Sequence, residues 1–265
     1  MSDFLIIVLL FAIGSGIGSF LCAWMCRIYS KQNVHAPSHC EHCSQKLKWF
    51  ELLPIFGWLI CLGKCRHCKA PIGLEPILIE IITAGLFVVS YIFWPTAISS
   101  LVEVNLFALW LIILSGLVAL AVYDLKYTKL PNKLVYPIMA VAMLFWLVSS
   151  LDGQQILQIE HWTELLLAML PIAGVYGAIY LVSGGRLVGL GDVKLGIVAG
   201  FLLPWQGTLA VLLLANIFAL IIYLCLPKKQ RDKRQVPFAP ALVVAIILVF
   251  LCYETCRGLL LSVYL

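Results

Sequence analysis

The chain has 265 residues, of which 63% are hydrophobic and only 12% charged, with a formal net charge of +5 at pH 7. Together with a mean hydropathy of +1.03, this excludes a soluble globular domain, in which about half the residues are apolar and a quarter charged. The small positive surplus is spread over separate loops. It therefore reads as membrane topology and lipid-headgroup anchoring, and no nucleic-acid partner is expected.

A helix that crosses the bilayer needs about 20 consecutive apolar residues. Runs of about this length cover 4–26, 76–94, 105–123, 134–151, 165–182, 208–226 and 238–255, and an eighth, 195–204, is cut short by Pro204. The expected fold class is an all-α polytopic membrane protein of about eight transmembrane helices. The first run has no basic residue before it, and Arg27 and Lys31 follow it, so it is expected to be a retained helix rather than a cleaved signal. Gly14, Gly16 and Gly18 within it predict a close helix contact.

Between the first two runs lies the only loop long enough to fold, about Arg27 to Gly73, with four of the five histidines and half of the ten cysteines. Its motifs "CEHC" (Cys40, Cys43) and "CRHC" (Cys65, Cys68) are separated by 21 residues. Paired Cys-x2-Cys knuckles predict a four-thiolate site for zinc or a similar soft metal, with free thiols as the alternative. His35, His39, His42 and His67 are substitute ligands, but the four cysteines make the simpler set. A structural metal would stabilise a loop with little core of its own. No internal repeat is evident along the chain.

The loops 27–69, 126–133, 186–194 and 228–234 hold 17 of the 18 basic residues, whereas 95–104 and 150–164 hold none. The positive-inside rule then puts the basic loops in the cytoplasm and the N-terminus outside, which requires the short 195–204 segment to cross or nearly cross. Disulfides in the cysteine loop are accordingly disfavoured.

Two acids stand at helix ends on that cytoplasmic side. Asp124 closes the third run in "VYDLKYTKLPNK", and Asp192 opens the sixth in "GLGDVKLG". Ionisable groups at membrane depth point to function. Two carboxylates in a partly dry site have their titrations pushed apart, so one serves as base towards water while the other protonates a carbonyl oxygen. Gly189 and Gly191 beside Asp192 predict room for a substrate backbone.

These residues carry a resemblance. Gly189-Leu190-Gly191-Asp192-Val193-Lys194-Leu195, Asp124 with Leu130-Pro131-Asn132, "VPFAP" at 236–240, the cysteine pairs with Gly63-Lys64, and "GSFL" at 18–21 are together similar to the type IV prepilin peptidase family of GxGD aspartyl proteases. The resemblance implies an enzyme of the bacterial inner membrane. Its activity would be to cut the basic leader from prepilins or pseudopilins at a Gly-hydrophobic bond on the cytoplasmic side, then methylate the new N-terminus with S-adenosylmethionine. It implies Asp124 and Asp192 as the protease pair, with Gly189, Gly191 and Lys194 as motif support. Cys40, Cys43, Cys65 and Cys68 would be the metal set, and Glu51 and Glu80 methyltransferase-associated residues. Lys126, Lys129 or Lys194 could meet a substrate acid or simply reach the interface.

The chain departs from the family pattern at Cys22 after "GSFL", at Glu51-Leu52-Leu53-Pro54, at Leu74-Glu75-Pro76 and at Ala239, where a glycine is usual. None of these departures falls on either aspartate. The expected organisation is a first transmembrane helix at 1–26, a cysteine-loop subdomain at 27–75 and a peptidase bundle at 76–265. Two other readings stay open: a peptidase without methylation, and a non-enzymatic scaffold or transporter whose zinc loop docks a partner.

Overall fold

A computed structural model of the chain describes residues 3–30, 33, 37–40, 42–94, 98–151, 159–225 and 237–264. His35, Asp152, Val236 and the basic run 228–234 lie outside them, as does the side chain of Cys256. Every regular element among the described residues is a helix, and six helices are long and apolar enough to cross a membrane. The chain divides into two compact units, Met1–Ile92 and Phe93–Leu265.

In the first unit, α1 (Asp3–Tyr29) and α3 (Glu75–Ile92) are both candidate spans, and a short helix α2 (Phe56–Ile60) lies between them. Residues four apart share a helix face, and Gly14 and Gly18 use this to bring α1 onto α3. A Cβ on Gly14 would come 2.8 Å from the Ala84 Cα, and one on Gly18 2.8 Å from the Glu80 Cα. Gly16 points elsewhere, into open space. Because α3 is bound to α1 by this contact, the first unit runs to Ile92, past the boundary at 75 expected from sequence.

The second unit holds α4 (Leu101–Tyr127), α5 (Asn132–Leu151), α6 (Ile159–Met169), α7 (Val175–Ser183), α8 (Leu190–Leu202), α9 (Trp205–Cys225) and α10 (Ala239–Tyr264). A π-helical turn, Leu170–Gly174, joins α6 to α7 across Pro171, so the two make one span, Glu160–Ser183. Glu103 starts α4 by reciprocal hydrogen bonds with Ser100, a capping box. With 13 residues, α8 rises only about 20 Å and falls short of a full crossing by itself.

The core of this unit is mainly apolar, with Asp124, Ser150 and Thr208 among its few buried polar residues. Trp110 stacks on Phe250 with ring centres 3.8 Å apart, and Ile113, Leu117, Leu195, Leu242 and Ile246 are fully buried. The short helix α8 touches α5, α6, α7, α9, α10 and the π turn. It fits there because Gly196 lies against Ile172 and Ala173, and Gly200 against Met169, each at a distance a side chain would violate. α5 and α10 both pack on α4 and on α8. Those two shared neighbours hold the two aspartate-bearing helices in fixed relation.

Candidate active site and metal centre

Asp124 sits in the last turn of α4, 7% exposed. The helix stops just beyond it because Thr128 adopts a left-handed conformation (φ 50°) and donates its N–H to the Asp124 carbonyl at 2.8 Å. The Asp124 side chain is met by the start of α10, where the Ala239 N–H donates to Oδ2 at 3.1 Å. The Phe238 N–H is a second donor to the same carboxyl. Two of the "PFAP" residues thus serve Asp124 through their backbone. A backbone donor is indifferent to whether position 239 is glycine or alanine.

Asp192 is the third residue of α8, and its Oδ2 accepts the Gly189 N–H at 3.2 Å, while its own N–H donates to the Gly189 carbonyl at 3.1 Å. The carboxylate therefore faces the positive end of α8. It also lies within electrostatic reach of Asp124, some 70 residues away in the chain.

The two glycines of the motif separate in role. A Cβ on Gly189 would meet only Asp192 Oδ2 at 3.5 Å and the Gly191 nitrogen at 3.9 Å, so this glycine keeps an open side. The open side of Gly191 is filled by Leu130, whose Cβ would stand 2.7 Å from an added Cβ. At Gly191 the expected room for substrate is taken up by packing between the start of α8 and the α4–α5 connection.

Lys194, one turn along, donates from Nζ to Asn132 Oδ1 at 2.6 Å and to the Tyr136 hydroxyl at 3.2 Å. Its ammonium stands 4.6 Å from the centre of the Tyr136 ring. Lys194 thus ties the start of α8 to the start of α5.

In the first unit the two cysteine pairs converge. The four Sγ atoms lie within 4.8 Å of one another, with Cys40–Cys68 at 3.8 Å and Cys43–Cys65 at 4.0 Å. All four are free thiols. A tetrahedral ion with metal–sulfur bonds of about 2.3 Å requires sulfurs about 3.8 Å apart, so the set fits zinc. The two knuckles are copies of one another, offset by 25 residues. Cys40 N–H donates to the Gln45 carbonyl as Cys65 N–H does to Ala70, and Ser44 N–H to Cys40 as Lys69 N–H to Cys65. Ser44 and Lys69 have matching φ of 56° and 60°, and the bridges His39–Lys46 and Lys64–Pro71 correspond. This local repeat is not evident in the sequence, where only the cysteines and one histidine recur in register.

Backbone N–H groups of Cys68 and His67 aimed at the Cys65 sulfur bring its thiol down to about 7. Such donors favour the thiolate that binds metal. At Cys43 the Gln45 N–H acts in the same sense, but burial and the three neighbouring sulfurs outweigh it and push the thiol up to about 11. Concentrating negative charge on four sulfurs without a cation is unfavourable, as a metal site requires. His39 and His42 are not among the clustered donor groups.

Glu51 and Glu80 both bind backbone. Glu51 Oε2 accepts the Lys48 N–H at 2.7 Å. Glu80, 7% exposed on α3, accepts the Ile55 N–H at 2.6 Å and so holds Ile55 at a φ of 63°, a region costly for a β-branched residue.

The fold and these groups define a multi-pass helical membrane protein, with two acids at helix ends in one unit and a cluster of four cysteines in the other. Residues 12–94 match the bacterial peptidase A24 N-terminal domain, and residues 111–224 match the type IV leader peptidase family. A prepilin leader peptidase/N-methyltransferase of Aeromonas hydrophila is 30% identical over 220 residues, 80% of this chain and 71% of that protein. One from Klebsiella pneumoniae is 31% identical over 179 residues, 68% of this chain and 74% of that protein. One from Vibrio cholerae is 28% identical over 217 residues, 80% of each. The chain belongs to the type IV leader peptidase family. No solved structure matches it.

Proposed function

We propose that this chain is a membrane aspartyl endopeptidase of the bacterial inner membrane, with Asp124 and Asp192 as its acid–base pair and prepilins or pseudopilins as its substrates. The observation that carries the reading is the contact of Gly191 with Leu130, which joins the start of α8 beside Asp192 to the turn that follows Asp124, in a chain of this family. One carboxyl is ionised and takes a proton from water as the water oxygen adds to the scissile carbonyl carbon. The other gives its proton to the carbonyl oxygen. Collapse of the tetrahedral species breaks the C–N bond, and the leaving nitrogen takes a proton from the pair. The backbone donors of Phe238 and Ala239 hold one carboxyl and the Gly189 N–H the other, so neither must reorganise during the reaction.

The excess of Lys and Arg in the loops beside these acids supports a cytoplasmic site, where a cationic leader would be presented. Methylation of the released N-terminus follows from the bifunctional names of the relatives, and S-adenosylmethionine supplies the methyl group there. Glu80 suits a donor of that kind. One of its oxygens is on Ile55 and the other carries no hydrogen bond among the described residues, leaving it open to an ammonium or ribose hydroxyl. Zinc in the thiolate cage would be structural.

Asp124→Asn and Asp192→Asn, each co-expressed with a prepilin, are expected to lower leader removal by about 10³-fold with the enzyme still in the membrane. Normal processing by either variant overturns the assignment. The mass of the mature pilin N-terminus reports methylation in the same experiment.

A further inference from the structure

Two polar residues of the second unit, one buried and one exposed, have no part in the acid–base pair. Tyr176, in α7, is 4% exposed. Asn216, on the exposed surface of α9, donates from Nδ2 both to the Leu212 carbonyl at 2.7 Å and to the Tyr176 hydroxyl oxygen at 3.0 Å. The bond to a carbonyl identifies this atom as the amide nitrogen, since an oxygen there would face an oxygen. Its two hydrogens are then both committed. Tyr176 accepts one of them, so its own O–H is left to donate, and Asn216 Oδ1 is left to accept. Neither finds a partner among the described residues.

Their position is set by contacts with the peptidase site. The Tyr176 ring meets the Phe238 ring edge-on, with centres 5.5 Å apart, and Phe238 adjoins Ala239, the donor to Asp124. Gly177, next in the chain to Tyr176, would place a Cβ 3.9 Å from Val193, the neighbour of Asp192. Tyr176 also lies within electrostatic reach of Asp192.

An unused donor on a buried side chain such as Tyr176 is costly, and the unused acceptor of Asn216 stands beside it on an exposed face. A peptide group carries the matching pair, one C=O and one N–H. Resting on the peptidase reading above, we propose that Tyr176 and Asn216 form a clamp for the substrate backbone. Tyr176 O–H donates to the carbonyl oxygen, and Asn216 Oδ1 accepts the N–H, at the peptide groups flanking the cleaved bond. The clamp keeps the substrate extended at the point where its apolar helix begins, since a helical segment would spend those groups internally.

The test is cleavage of synthetic prepilin peptides by the purified full-length enzyme in detergent. Tyr176→Phe and Asn216→Leu are each expected to lower kcat/KM about tenfold, the value of one hydrogen bond. A series of substrates with one amide at a time replaced by an ester removes single N–H donors. At one position beside the cleaved bond the ester is expected to slow the wild-type enzyme about tenfold and to leave Asn216→Leu no slower than it is with the amide. A merely structural role would slow Asn216→Leu on every substrate alike, and that result overturns the clamp. So do wild-type rates in both variants. Asn216 is exposed, so its replacement keeps the proposal testable should Tyr176→Phe fold poorly. Asp192→Asn run alongside separates the two readings: if it is active, the peptidase assignment itself fails, whereas if it is dead and both clamp variants are normal, only the clamp fails.

Discussion

Gly191 lies flush on Leu130, with a Cβ at position 191 falling 2.7 Å from the Leu130 Cβ. The contact joins the residue before Asp192 to the turn that follows Asp124. It therefore fixes how near the two acids come, and a methyl group inserted here acts on both.

Gly191→Ala is expected to destabilise the protein by about 1–3 kcal/mol, as overpacking does, and to slow leader removal by moving α8 off the α4–α5 turn. Leu130→Gly added to it removes the Cβ, Cγ and Cδ1 atoms that a methyl group at 191 would meet. The double variant is expected to melt higher and cleave faster than Gly191→Ala alone, as read by thermal unfolding in detergent and a timed cleavage assay. Additive losses would show that the two residues do not press on each other.

Lys194 and Asn132 are expected to act as a unit. Each of Lys194→Met and Asn132→Ala removes the 2.6 Å bond between α8 and α5, with a cost of about 1 kcal/mol for a charge-assisted bond open to solvent. The double variant is expected to lose no more than the worse single. A sum of the two losses in a double-mutant cycle would show that Lys194 acts through Tyr136 and not through Asn132.

Ala239 offers Asp124 its backbone. Ala239→Gly is expected to cleave at the wild-type rate, because the N–H is retained. Ala239→Val is expected to cost about 1–3 kcal/mol and to lower activity, because the position is fully buried at the start of α10 and has no room for two more methyl groups. Thermal melting and cleavage rate, measured together, check both.

The thiolate cage predicts one tightly held metal ion per purified chain by elemental analysis. Serine at any one of Cys40, Cys43, Cys65 and Cys68 is expected to release it. The first unit would then lose a binding contribution of about 10 kcal/mol to its folding. The aspartate pair belongs to the other compact unit, so methylation is expected to fall further than cleavage. Retention of metal by a Cys65→Ser variant would point to a histidine as substitute ligand.

Much of this protein is written locally. Bilayer thickness and the cost of an unpaired backbone make long apolar runs into helices, which is why the spans were legible to within a few residues. The cysteine pairs were legible because two thiols three residues apart already form half a tetrahedral site. The motif acids stood out because ionisable groups are scarce in such a composition. Tertiary structure decided what depends on close approach between distant residues. It showed that Gly14 and Gly18 face α3 while Gly16 does not, that α3 belongs with α1, and that Gly191 is filled by Leu130. It also committed Lys194 to Asn132, gave Asp124 the backbone of Phe238 and Ala239, and brought Tyr176 to Asn216. Spacing along the chain specifies which residues share a helix face, whereas the partner of that face is chosen by packing.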